Sequence, residues 1–173
     1  FLLNEQKEIG DNTVINVYYK RNCYDVLIQD PGNGLKTVSG NGKQLFGDTI
    51  HLSAVMKNAY SGITWHIKQD INLYGFNVNT LQQTFTMPAS NLTFVANLEF
   101  KTFLVEVNVI GNGTVTPGTK IVRYGESVNF QFVPDDGYKV KTVLRNQKQV
   151  NFTETSYVTN FITSNIELTV VFD

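Results

Sequence analysis

Residues 28–52, IQDPGNGLKTVSGNGKQLFGDTIHL, and residues 109–130, VIGNGTVTPGTKIVRYGESVNF, carry the same landmarks in the same order: a Gly-Asn-Gly turn, then an aromatic-Gly-acid triplet. An internal repeat constrains a fold more than any composition figure, because one supersecondary unit must be built twice. Phe46-Gly47-Asp48-Thr49-Ile50 falls on Tyr124-Gly125-Glu126-Ser127-Val128 at an offset of 78, which also carries Tyr60 onto Tyr138. Gly34 and Gly113 differ by 79, and Ser90-Asn91-Leu92 meets Ser164-Asn165-Ile166 at 74. The drift is small and the order is kept. Two copies are present.

Each copy closes on an alternating run, Leu92, Phe94, Ala96 and Leu98 in the first and Ile166, Leu168, Val170 and Phe172 in the second. A period of two is the mark of a half-buried β-strand. Ile50, Leu52 and Ala54 alternate likewise, as do their counterparts Val128, Phe130 and Phe132, and also Val105, Val107 and Val109. Glycine-bearing turns separate these runs, and Asn-Gly supplies the positive φ that tight hairpins need. No long stretch shows a capped period of about 3.6 residues. Ile71 to Gln83 comes nearest, but it holds Gly75 and several Asn or β-branched residues and reads as a long loop or irregular hairpin.

The expected fold is therefore mainly β, with two tandem small β modules, β-grasp-like or small sandwiches. The first spans 22–100 with an insertion near 69–83, and the second spans 101–173. Residues 1–21 read as the closing strand of a preceding or partial repeat, or as a short strand docked on the first complete copy. Thr13, Ile15, Val17 and Tyr19 carry its alternation.

Bulk numbers exclude several classes. A net charge of -1 lacks the clustered Lys and Arg of a nucleic-acid binder. The longest apolar runs, such as Phe103 to Val105 and Val170 to Phe172, are too short to span a bilayer, so no membrane insertion is expected. No charged start followed by an apolar stretch marks a secretory signal, so an exported form would be a mature fragment. One cysteine, Cys23, excludes an internal disulfide and a cysteine-based zinc site, and it reads as a half-buried strand residue.

Catalytic patterns are missing. His51 and His66, the two histidines, read as surface residues on strands that could be neighbours, without the carboxylate that a metal or acid–base pair would need. No Gly-x-Ser-x-Gly elbow appears. Asp135-Asp136 precede Gly137 in a turn and lack the alternating oxygen ligands of a calcium loop. Gly32-Asn33-Gly34 and Gly40-Asn41-Gly42 are followed by no Lys-Ser/Thr and no helix, so they read as turns rather than phosphate cradles. The expectation is a chain that is not an enzyme, with no cofactor and no metal.

In the second copy Gly113-Thr114-Val115-Thr116-Pro117, Tyr124-Gly125-Glu126-Ser127 and Gly137-Tyr138-Lys139-Val140 follow one another. In the first copy Phe46-Gly47-Asp48-Thr49, Tyr60, Trp65 and Met87-Pro88 do so. Together these motifs, over roughly residues 22–173, resemble the bacterial internalin B-repeat modules, especially their divergent form. The second copy departs at Val143, where the family has Trp, and at Asn160-Phe161, near where Met-Pro would fall. The first has Ala59 for a glycine. The resemblance implies a β module of bacterial cell-surface or secreted proteins, strung between a head and an anchor, with Trp65 at a core position.

The functional expectation that follows is a non-catalytic spacer or stalk of an extracellular bacterial surface protein, whose partners are neighbouring domains of the same chain. The alternative is an adhesive module that binds a host glycan or matrix protein through aromatics around the first copy's insertion. Tyr74, Trp65 and Tyr60 are the residues for that role, since aromatic side chains offer flat apolar faces and loops carry function.

Overall fold

The computed structural model describes residues 2–8 and 14–173, with side chains from Lys20 onward. Strands β1 (Leu2–Glu8) and β2 (Val14–Lys20) pair antiparallel as a ladder of their own, from Leu2 opposite Lys20 to Glu8 opposite Val14. Where the sequence shows one strand, this segment has two. Thr13 and the side chains of Ile15, Val17 and Tyr19 lie outside the described residues.

The chain divides into two compact units, Phe1–Lys57 with Gly62–Leu98, and Asn58–Ser61 with Glu99–Asp173. The first repeat contributes β3 (Cys23–Gln29), β4 (Leu35–Ser39), β5 (Gly42–Leu45), β6 (Thr49–Met56), β7 (Tyr60–Ile67), β8 (Gln82–Thr86) and β9 (Leu92–Phe100). They make two sheets, in the orders β5-β3-β9-β7 and β4-β6-β8. The second repeat contributes β10 (Thr102–Ile110), β11 (Gly113–Thr116), β12 (Lys120–Arg123), β13 (Val128–Pro134), β14 (Val140–Arg145), β15 (Lys148–Gln149), β16 (Ser156–Thr159) and β17 (Ile166–Phe172). Its sheets run β12-β10-β17-β14-β15 and β11-β13-β16. Apart from the short β15, the two topologies agree strand for strand.

In both repeats the first and last strands are parallel neighbours, Val26 beside Leu92 and Val105 beside Ile166. A parallel pair needs a long crossover, and here nearly the whole module supplies it. Apolar side chains from both sheets meet in one core per repeat, and no helix occurs among the described residues. Of the two architectures expected, these features define the small sandwich.

The aromatic-Gly-acid triplet turns the chain from one sheet into the other. Gly47 and Gly125 sit at φ 82° and 83°, a region that disfavours residues with a Cβ. The Gly47 N–H donates to Met87 O at 2.9 Å, and Met87 N–H donates back to Asp48 O at 2.8 Å. In the second repeat Gly125 N–H donates to Ile162 O at 2.8 Å, and Ile162 N–H to Glu126 O at 2.9 Å. Ile162 therefore takes the place of Met87, one residue beyond the Asn160-Phe161 pair. Both side chains are fully buried.

Core volume is exchanged between sheets. Facing inward from the larger sheet, the first repeat has Trp65 and Phe94 where the second has Val143 and Leu168. From the smaller sheet, the first has Leu52, Ala54 and Gln83 where the second has Phe130, Phe132 and Tyr157. Interiors pack to a nearly constant density, so bulk gained on one face is matched by loss on the other.

Two expected burials differ. Val109 is exposed, because β12 flanks β10 only from Thr102 to Val105 and the remaining edge is open. The Val107 N–H at that edge donates to Thr119 Oγ1 at 2.9 Å. Cys23 is exposed rather than half-buried, since Tyr24, Val26 and Ile28 take the inward positions of β3.

Candidate functional site

The insertion between β7 and β8 is an ordered loop tied to the first core. Leu73 is buried, and Ile71, Phe76 and Leu81 pack against the same cluster. The Phe76 ring stacks on Phe94 at 5.2 Å and meets Phe85 edge-on at 6.0 Å. Backbone bonds complete the attachment, with Trp65 N–H donating to Val78 O at 2.7 Å and Ala54 N–H to Leu81 O at 2.9 Å.

Gln83 is buried and satisfies the loop from beneath. Its Oε1 accepts Asn77 N–H at 2.9 Å, while its Nε2 donates to Asn77 O, to Thr80 O at 3.0 Å and to Thr80 Oγ1 at 2.6 Å. A buried amide is tolerated only when its donors and acceptors are met, and this loop meets them.

Within the loop a tight turn closes from Phe76 N–H to Leu73 O at 3.1 Å, with Gly75 at φ 78°. Tyr74 stands at its corner, 99% exposed. Beside it lies a cleft of about 520 Å³ whose lining includes Thr49, Asn72, Tyr74, Thr84, Thr86 and Pro88, and no residue of the lining is charged. Thr49 pairs with Thr86 and His51 with Thr84 across β6 and β8. All four point outward, and His51 Nδ1 lies 3.1 Å from Thr84 Oγ1.

The other two aromatics expected at a site lie elsewhere. Trp65 is 2% exposed, crosses Phe94 at 6.3 Å in a T-shape, and donates its Nε1–H to Thr80 O at 2.9 Å. Its work is to hold the insertion down, and it offers no face to a ligand. Tyr60 belongs to the second compact unit, half-buried, with its ring 4.6 Å from that of Phe100. Arg123 rests its guanidinium 4.8 Å above the same Phe100 ring. The structure thus leaves Tyr74 alone of the three at an open surface. Thr49, Thr84, Thr86 and Asn72, which line the cleft beside Tyr74, were not among the residues expected from the sequence. The signal for two of them was the period-two Thr-x-Thr of β8.

His51 and His66 are both exposed but sit on β6 and β7, which belong to different sheets. They do not share a surface, as neighbouring strands would have allowed. Asp135 to Gly137 form a turn closed from Tyr138 N–H to Asp135 O at 2.9 Å. Among the described residues no group of three or more His, Cys, Asp or Glu side chains is placed to hold a metal ion. Among the described residues no helix is long and apolar enough to cross a membrane.

Two small sandwiches with one strand order, joined in series, define a tandem-repeat β protein. The chain belongs to the divergent InlB B-repeat domain family, whose model matches it twice, over residues 24–102 and 103–173. This bears out the resemblance read from the motifs. No curated protein and no solved structure matches. The family is generally non-enzymatic and is typically found on bacterial cell-surface or secreted proteins, and tandem domains of this kind point to a bacterial surface protein.

Proposed function

We propose that the two modules act as a non-catalytic spacer or stalk, extracellular and in series with neighbouring domains of the same protein. The observation that carries this reading is the doubled topology, with the same turn glycine and the same reciprocal backbone bonds in both repeats. Repeated small domains add length and nearest-neighbour stability without needing a site. A reporter epitope displayed on a bacterial cell through this chain tests the role. Antibody access should fall when one module is deleted and return when an unrelated β module of matching length replaces it. Access that is indifferent to module number would sink the spacer reading.

A second reading is favoured by one observation in the first module, the uncharged cleft beside the fully exposed Tyr74. On this reading the module also adheres to an extracellular ligand through its insertion. The two roles are compatible in one chain.

A further inference from the structure

We infer that the cleft beside Tyr74 is a binding site for a neutral saccharide, with the Tyr74 ring stacked on a sugar face and Thr49, Asn72, Thr84 and Thr86 meeting its hydroxyls. The inference rests on the adhesive reading and names its ligand class.

Three features carry it. The first is the presentation of Tyr74. An exposed aromatic by itself is ordinary, but this ring stands on a turn whose flanking residues, Leu73 and Phe76, are both held in the core. An anchored backbone loses little freedom on binding, which is where much affinity is otherwise spent. The second is the chemistry of the lining. Three hydroxyls and one amide give donors and acceptors together, the complement of a polyol. A charged ligand would shed water there with no countercharge to meet it. The volume of about 520 Å³ falls within the range of small-ligand sites.

The third feature is an internal comparison. The second repeat keeps the skeleton beneath the cleft, the outward strand positions and the turn glycine, but its connection from β14 to β16 is shorter and carries β15 in place of the Tyr74 turn. In register, Asn129 stands for His51 and Val158 for Thr84, and the Asn160-Phe161 pair precedes Ile162 where Thr86 precedes Met87. Ser127 keeps a hydroxyl at the place of Thr49, but the Thr84 and Thr86 hydroxyls and Tyr74 occur together in the first repeat and have no counterpart in the second. Folding alone does not require them, since the same sandwich forms without them.

The test uses the whole chain on an array of neutral oligosaccharides, acidic oligosaccharides and deglycosylated extracellular-matrix proteins. Saturable binding to a neutral oligosaccharide is expected, insensitive to salt. Tyr74→Ala and the double substitution Thr84→Val with Thr86→Val should each weaken it about tenfold or more, as loss of a central anchor does. Both variants should melt with the parent, and Tyr138→Ala in the second repeat should bind as the parent does. Binding only to acidic glycans or to deglycosylated protein, lost in Tyr74→Ala, would overturn the ligand class and leave the adhesive reading standing. Neutral-glycan binding that survives both cleft variants would overturn the site. Binding to nothing on the array would overturn the site and the adhesive reading together.

Discussion

The Oδ1 of Asn165 accepts the backbone N–H of Leu104 at 2.9 Å, and the Oδ1 of Asn91 accepts that of Asp25 at 2.8 Å. Each amide lies one residue before the closing strand and reaches the opening strand of its own repeat. It supplies the carbonyl that the parallel ladder lacks at its first rung. The Ser-Asn-apolar landmark of the sequence is therefore a structural device for starting the β3–β9 and β10–β17 pairings.

Asn165→Ala removes that acceptor and should lower stability by about 0.5–1.5 kcal/mol, the usual net worth of a hydrogen bond whose donor water can reach. Asn165→Asp keeps an oxygen in place and should cost less. Urea unfolding with an unchanged slope reads the difference. Equal losses in the two variants would refute this role for the side-chain oxygen.

Gly113 has no room for a methyl group, since a Cβ there would lie 2.8 Å from the buried Phe172 ring. Gly113→Ala should destabilise by roughly 1–3 kcal/mol through overpacking. In a Phe172→Leu background the same change should cost less. A double-mutant cycle that returned simple additivity would show that the ring is not the obstacle.

The exchanged core volumes make a sharper prediction. Trp65→Val copies the second repeat at one position only, leaving a cavity and removing one of the two hydrogen bonds to the Thr80 carbonyl, at a cost of about 2–4 kcal/mol. Trp65→Val with Ala54→Phe copies both sides of the exchange and should lose less than the single variant. Calorimetric melting of the two proteins decides it, and a double variant worse than Trp65→Val would mean the two faces do not compensate.

Asp173 titrates below its ordinary value of 3.8, first because Lys141 Nζ hydrogen-bonds its Oδ2, then through the Lys141 charge, with Lys139 adding less. A lowered folded value gives stability that is complete above the unfolded pKa and lost as pH falls through the folded one. Both partners are exposed, so the contribution is small and screened by salt. Lys141→Met should shift the urea midpoint slightly at about pH 7 in low salt, and the shift should fade as the pH falls through the folded pKa of Asp173. A shift that persists in acid would assign the effect to packing of the lysine stem.

The strands of both repeats were legible because their signal is local. Leu92, Phe94 and Ala96, like Ile166, Leu168 and Val170, alternate with period two and are buried as that period requires. The turn glycines were legible too, since Gly47 and Gly125 need a conformation that few other residues adopt. Edge effects were not. Val109 continues its alternation in sequence, yet it is exposed because a separate strand stops short beside it.

The site was less legible than the fold. Tyr74 beside Gly75 pointed to an exposed loop from sequence, but Trp65 and Tyr60 did not belong with it. An aromatic residue looks alike in a string whether it is buried or open. Thr49, Thr84 and Asn72 come from three separate segments, and no spacing in the chain brings them together. Met87 and Ile162 likewise share a place that only their bonds to the turn reveal.

The sequence by itself determined the repetition, the β class, the turn positions and the family, because each follows from residues close together along the chain. The tertiary structure alone decided the sandwich, the assignment of β6 and β7 to different sheets, the burial of Trp65 and the cleft at Tyr74. These depend on long-range pairing and on how one fixed core volume is shared between two sheets. A local pattern specifies a strand's two faces but not the partner that covers either of them.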